Sequence, residues 1–327
     1  MTTLSVRPIR DDLPFGARVG GVTHGGLRDQ SLRTSINAAF EEHGLLIFED
    51  VEPTPKMQVA LSNVIGPLKD HPSKAVARAG GDDMLGVIEM RHEPNQPGAV
   101  RLGGQLLSTW LPWHFDHCYN DQLNRAGVLR AVEVPPDGGL TGFVDGIALY
   151  DAMSPDVRDQ IEGETVIYAM DVIMENLRFG RPEGLVEVEP APSAVDVMIE
   201  YEGRPRALHP AVWTRSSGQK VLHVSPWMAK GIERREGADG DALLAAVCDE
   251  IVEAAKDLSY FHRWQPTDMV LWDNWRVLHS VSGMQPEHAR TMHRTTIAGD
   301  YGLGRFETEQ PAHSSGAESG PDGVEPA

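Results

Sequence analysis

Val128 to Val134 reads VLRAVEV, Pro135 to Gly139 reads PPDGG, and Leu140 to Asp145 reads LTGFVD. Two runs rich in β-branched and aromatic residues, separated by Pro, Asp and Gly, predict neighbouring antiparallel strands. The pattern recurs downstream. After a helical stretch comes TVIYAMD (165–171), and ALHPAVWT (207–214) and KVLHVS (220–225) flank an SSGQ turn. MVLWDN (269–274), RVLHSV (276–281) and RTMHRTTI (290–297) follow at strand lengths. Between these groups an acid-rich helix is expected from about Asp241 to Lys256, packing Leu243, Leu244, Val247, Ile251 and Val252 against a core.

Upstream, the signals are helical. Asp29 is placed to cap a helix that carries Leu32, Ile36 and Phe40 on one side and stops at Gly44, before the apolar strand Leu45 to Phe48. Thr54 then caps a second helix, with Pro55 at its first position, Leu61, Val64 and Ile65 on its apolar face, and Gly66 at its end. Short strands with helices mostly before and between them, and no internal repeat, predict a mainly β fold with helical additions. Its expected core is a double-stranded β-helix, or jelly roll, rather than a doubly wound parallel sheet. Residues 1–304 are expected to form one domain, with a lid-like insertion around 80–108 that contains the Gly103-Gly104 turn. The stretch after Arg305 offers almost no large apolar side chains to bury, which predicts a flexible tail over 305–327.

Charge and composition exclude several functions. Acidic residues outnumber basic ones by 48 to 29, a formal charge of -19, so a polyanion is repelled on average and no nucleic acid partner is expected. The opening MTTLSVRPIRDDLPFG lacks a charged segment followed by an apolar one, and no long apolar run follows, so the expected location is cytoplasmic, away from membranes. Cys118 and Cys248 are the only two cysteines, too few for a disulfide framework or a cysteine-based zinc site. A metal would have to be held by His and carboxylate.

The segment WHFDHCYND (113–121) supplies such ligands. His114 and Asp116 have the i, i+2 spacing that puts both side chains on one face of a strand. Of the 13 histidines only His114 begins a His-x-Asp pair, and His279, in the distant WDNWRVLHS, is the candidate third ligand. Two imidazoles and one carboxylate suit Fe(II) with open coordination positions, and equally a hydrolytic Zn(II). His117 and His293 adjoin these segments and are expected to point away from the site; His288 is expected in a loop, and Cys118 is given no role.

With these residues in view, the chain resembles the taurine dioxygenase / 2,4-D dioxygenase (TauD/TfdA) family of Fe(II)/2-oxoglutarate enzymes over roughly residues 5 to 303. The His-x-Asp follows Trp113, and W-D-N-x-x-x-x-H falls on Trp272 to His279. An Arg eleven residues after the distal His falls on Arg290, a Thr in a G-G-x-T stretch on Thr141, a second Arg on Arg294, and G-x-L-x-x-H-P on Gly66 to Pro72. The resemblance implies a clavaminate synthase-like jelly roll, with Fe(II) on His114, Asp116 and His279, and 2-oxoglutarate on Thr141 and Arg290. It also implies substrate contacts at Arg294 and His71. Where taurine-type members carry polar residues before the Trp-His pair this chain departs, reading LLSTWLPWHFD, and Trp110 there is a further candidate substrate contact. Decarboxylation of 2-oxoglutarate to succinate and carbon dioxide, with dioxygen, would be coupled to oxidation of a C-H bond, most simply hydroxylation.

An always-ionised planar guanidinium suits the distal carboxylate of the keto acid. The expected substrate is a small organic acid or specialised metabolite with an anionic end and an apolar body. Desaturation and C-N, C-S or C-O cleavage use the same oxidant and remain alternatives, as does a jelly roll that binds metal and keto acid without turnover. The pattern also leaves room for a homo-oligomer.

Overall fold

The computed structural model describes residues 4–71, 73–79 and 86–308. In chain order the elements begin with β1 (Ser5–Pro8), β2 (Ala17–Gly20), α1 (Gln30–His43), β3 (Leu45–Phe48), α2 (Pro55–Ile65), β4 (Leu68–Lys69) and β5 (Val87–His92). Then come β6 (Ala99–Leu102), β7 (Gln105–Ser108), β8 (Leu111–His114), β9 (Ala126–Glu133), β10 (Thr141–Asp145), α3 (Gly146–Ala152), α4 (Pro155–Ile161), β11 (Thr165–Tyr168) and β12 (Val186–Glu189). The remainder is α5 (Pro192–Tyr201), β13 (Ala207–Pro210), β14 (Val212–Thr214), β15 (Lys220–Leu222), β16 (Ala229–Ile232), α6 (Ala238–Leu258), β17 (Ser259–His262), β18 (Met269–Asp273), β19 (Val277–Val281), β20 (Arg290–Ile297) and β21 (Arg305–Phe306).

Local chemistry sets the N-terminal helices. The Asp29 carboxylate accepts from Ser31 N at the start of α1, and Gly44 ends that helix in the left-handed region at φ 68°. Thr54 Oγ1 accepts from Met57 N at the start of α2, with Pro55 in the first turn. Both helices pack on one face of an eight-stranded sheet ordered β1-β2-β3-β18-β9-β20-β4, with β5 also paired to β20. Its other face meets a four-stranded sheet ordered β17-β10-β19-β8.

Side-chain alternation divides the residues between these layers. Leu46, Phe48, Met269 and Leu271 face the helices, while Leu45, Ile47, Val270 and Trp272 face the second sheet and meet Phe143 and Val277 there. The far side of the second sheet, with Val144 and Leu278, packs on β11, β16 and α6 in a further core. Two packed sheets with helices outside them form the jelly roll with helical additions that the sequence implied.

Three boundaries differ from the sequence reading. Residues 80–85 of the expected lid lie outside the described residues. Within the rest, Val87–His92 is no lid: it pairs with β20 over six residues as a strand of the large sheet. Only Ala99–Ser108 forms a separate hairpin, joined to β12. The expected tail begins too early, because Arg305 and Phe306 pair with Leu208 and Ala207, and Glu307 binds Arg206 at 2.5 Å. Residues 309–327 of that tail lie outside the described residues. The acid-rich helix is longer than expected, Ala238–Leu258.

Candidate active site between the two sheets

Strand parity brings the site together. On β20, Met292 packs into the inter-sheet core, so Arg290 and Arg294, two residues to either side, point the same way. On β19, Val277 faces that core and His279 shares its face; on β10, Phe143 faces it and Thr141 shares its face. His114 ends β8 directly opposite His279 in the antiparallel β8-β19 pair. Distant sequence segments thus converge because each candidate residue has core-facing parity.

Ligand atoms of His114, Asp116 and His279 all lie within 4.8 Å of one another, and the three residues are buried. The imidazole centroids are 4.1 Å apart, and His279 Nε2 lies 3.7 Å from Asp116 Oδ1. His114 Nδ1 sits 2.8 Å from the Pro112 carbonyl, which fixes the proton on Nδ1 and leaves a lone pair on Nε2. His279 has no such partner for Nδ1 among the described residues; its ring is held by Trp272 and Phe143, with centroids 5.2 and 6.4 Å away.

Electrostatics favour a cation here. Burial lowers the pKa of both imidazoles and keeps them neutral. Burial works to raise the Asp116 pKa, but the Arg294 guanidinium and then the imidazoles draw it below the usual carboxylate range. Arg294 Nη1 donates to Asp116 Oδ1 at 2.7 Å, while Oδ2 is buried with no partner among the described residues. An ionised carboxylate oxygen buried without a donor is costly. A divalent ion shared with two neutral imidazoles would satisfy it, so the donor set fits Fe(II).

Asn274 was not singled out in the sequence, although it belongs to the W-D-N triplet. Its Oδ1 accepts from Asp116 N at 2.8 Å and its Nδ2 donates to Asp116 O at 3.1 Å, clamping the backbone of the carboxylate residue from both sides. His223 in turn sits 2.9 Å from the Asn274 carbonyl. Trp272 fills the space over Gly127, where a Cβ has no room.

Arg290 is the other unusual group. It is 6% exposed, burial lowers its pKa to about 10, and no acceptor among the described residues meets its guanidinium. A Cβ on Gly139, which has φ 62°, would lie 3.2 Å from Arg290 Cδ and Nε, so glycine permits the close approach of this turn. Thr141 is buried, and its hydroxyl accepts from Trp264 Nε1 at 3.1 Å.

The remaining candidates divide. His71 Nδ1 accepts from Ser73 N at 3.1 Å, which leaves Nε2 as a donor; burial, then the charge of Arg294, lowers its pKa to about 4. Arg294 is already engaged with Asp116 through Nη1, and its buried Nε has no partner among the described residues. Trp110, half-buried just before β8, packs against the large apolar cluster and above Gly283. His293 points away as expected, toward Arg130 and Glu89, and His288 lies in the turn before β20.

His117 corrects the sequence reading. It follows the end of β8 with φ 62°, so strand alternation does not apply, and it turns its ring to within 5.4 Å of His71. It is 3% exposed, and neither ring nitrogen has a partner among the described residues.

Comparison with known proteins agrees with the geometry. Residues 5–296 match the model of the "Taurine catabolism dioxygenase TauD, TfdA family". The (S)-phenoxypropionate/alpha-ketoglutarate-dioxygenase of Sphingobium herbicidovorans is 29% identical over 290 residues, 88% of this chain and 93% of the relative. The alpha-ketoglutarate-dependent 2,4-dichlorophenoxyacetate dioxygenase of Cupriavidus pinatubonensis is 27% identical over 297 residues, 84% of this chain and 94% of the relative. A crystal structure of a taurine dioxygenase from Burkholderia xenovorans superposes with a TM-score of 0.67 at 21% identity, covering 94% of this chain and 97% of that one, and so shares the fold. The chain belongs to the TauD/TfdA family and is a non-haem, Fe(II)- and 2-oxoglutarate-dependent dioxygenase.

Proposed function

We propose that this dioxygenase hydroxylates a C-H bond of a small molecule with an apolar body and a carboxylate end. His114, Asp116 and His279 hold the iron, Thr141 and Arg290 grip the distal carboxylate of 2-oxoglutarate, and the Nε donors of Arg294 and His71 face the substrate anion. The observation that carries this reading is the buried Arg290 guanidinium without an acceptor, which faces the same inter-sheet core as the His-Asp-His cluster from the opposite sheet. A desolvated cation facing the interior calls for an anionic ligand, and its planar fork matches a carboxylate.

Iron, with 2-oxoglutarate and dioxygen, supplies the oxidising power when bound; the protein binds, orients and excludes water. Three protein donors leave half of an octahedral shell free for the co-substrates. Arg290 and Arg294, four residues apart on one strand, are separated by roughly 13 Å along the sheet. That separation lets one anion site serve the far end of the keto acid and the other a substrate beside Asp116.

Two further points support a carboxylate on an apolar frame. The relatives from Sphingobium and Cupriavidus are named for phenoxypropionate and 2,4-dichlorophenoxyacetate, both aryl ethers of short carboxylic acids. Next to His114, the Trp227 ring stands edge-on at 4.9 Å and offers an apolar wall.

The test has two stages. Anaerobic addition of Fe(II) and 2-oxoglutarate should give weak visible charge-transfer absorption, and admitting air with a substrate should release succinate. A panel of aryl and alkyl carboxylates is then compared with the matching methyl esters. Equal turnover of acids and esters would remove the anion requirement and the substrate roles of Arg294 and His71.

A further inference from the structure

We infer that Trp264 is a positioning residue for the keto-acid site, fixing the polarity of the Thr141 hydroxyl so that its proton is presented to the ligand carboxylate. The inference rests on the reading of Thr141 and Arg290 as the 2-oxoglutarate grip.

A threonine hydroxyl both donates and accepts, and left to itself it rotates to suit its neighbours. A carboxylate only accepts. A Thr141 oxygen that turned a lone pair toward the ligand would repel it, so the direction of this one O-H decides whether the residue helps or hinders. An indole N-H is a donor only. The 3.1 Å contact between Trp264 Nε1 and Thr141 Oγ1 therefore has one possible direction, and it occupies an acceptor position of the hydroxyl. No acceptor among the described residues takes the Thr141 proton, which leaves it for a ligand.

The indole is built to hold that direction. Trp264 is 5% exposed and packs in the core between the sheets. His262 stands edge-on to it, with centroids 4.6 Å apart and planes at 87°. His262 is itself directly opposite Thr141 in the β10-β17 pair, and its Nε2 lies 3.2 Å from Asp268 Oδ2. The chain just beyond the strand that pairs with Thr141 thus delivers the donor that orients it.

The experiment measures equilibrium binding of 2-oxoglutarate to the Mn(II)-loaded protein by calorimetry, a readout independent of turnover. Trp264→Phe keeps an aromatic ring and removes the N-H. It should weaken 2-oxoglutarate binding about five- to tenfold, the scale of one hydrogen bond between neutral groups. Binding of 2-oxopentanoate, which lacks the distal carboxylate, should be unchanged. Thr141→Val should weaken 2-oxoglutarate binding at least as much, and adding Trp264→Phe to it should cause no further loss.

Additive losses, or equal weakening for both keto acids, would mean that Trp264 acts through packing and would overturn the proposal. Unchanged 2-oxoglutarate binding by Trp264→Phe would overturn it alone. Failure of the unaltered protein to bind 2-oxoglutarate would overturn the keto-acid reading together with it. If Trp264→Phe does not fold, replacing the indole NH by sulfur with 3-benzothienylalanine at position 264 preserves the ring shape and applies the same criteria.

Discussion

At the scale of single residues, charge and geometry make separable demands on the site. Arg290 needs both, because a buried planar fork is matched to a carboxylate in a way that a flexible ammonium is not. Arg290→Ala is expected to raise the KM for 2-oxoglutarate by about two orders of magnitude, and Arg290→Lys to recover only part of that, with the KM for the prime substrate nearly unchanged. Steady-state succinate assays with each substrate varied in turn check this. Asn274 acts differently, since it touches the backbone of Asp116 from both sides. Asn274→Ala should loosen the carboxylate and lower metal affinity about 10- to 100-fold, read by competitive titration of Fe(II) or Mn(II) under anaerobic conditions. The candidate ligands were legible in the sequence because imidazole and carboxylate chemistry is written in residue type and spacing. Asn274 and Trp264 were not, because each acts through oriented hydrogen bonds to a partner over a hundred residues away. His117 was misplaced because a left-handed backbone after the strand breaks the alternation used to orient it.

At the scale of elements, the parts with local signatures were legible and those that depend on distant pairing were not. Caps at Asp29 and Thr54 and stops at Gly44 and Gly66 are chemistry between near neighbours, and the helices begin and end where those residues stand. Val87–His92 was read as part of a lid because its residues are mixed; its strand character comes from pairing with β20, two hundred residues on. Arg305–Phe306 is held in the same way by β13 and by the Arg206 ion pairs, not by apolar content. The junction that holds β10 and β19 in register is a buried ion pair. Arg276 Nε and Nη2 donate to the two oxygens of Asp145 at 2.8 Å each, Nη1 reaches the Glu42 carbonyl at 2.9 Å, and Asp145 also caps α3 through Ile147 N. Asp145→Ala strands a buried guanidinium and should cost about 3–5 kcal/mol in urea unfolding, whereas Asp145→Leu combined with Arg276→Met should cost much less. Equal losses in the two would show that the cap, not the uncompensated charge, dominates.

At the scale of the whole molecule, the fold buries imidazoles outside the His-Asp-His cluster, and this couples stability to pH. His209 and His223 are fully buried: His209 lies between Tyr301 Oη at 2.5 Å and the Asn120 carbonyl at 2.7 Å, and His223 stacks on Phe115 at 3.8 Å. Burial lowers their pKa values from 6.5 to about 4 and about 3. Because the folded values are depressed, the unfolded chain takes up protons first as the pH falls. The stability that these neutral rings contribute is therefore fully present above pH 6.5, and it is lost progressively as the pH falls from 6.5 through about 4 toward about 3. Each histidine should add up to ~1.4 kcal/mol per pH unit to the slope of unfolding free energy in that window. Urea unfolding of the chelator-treated protein at several pH values between 7.5 and 5 checks this. His209→Gln should lower stability at pH 7.5 yet flatten the acid-side slope by about one proton's worth, because glutamine can hydrogen-bond but cannot titrate. A slope identical to that of the unaltered protein would mean that His209 takes up no proton on unfolding in this window, because carboxylate pairs such as Arg294-Asp116 lose their contribution only at lower pH.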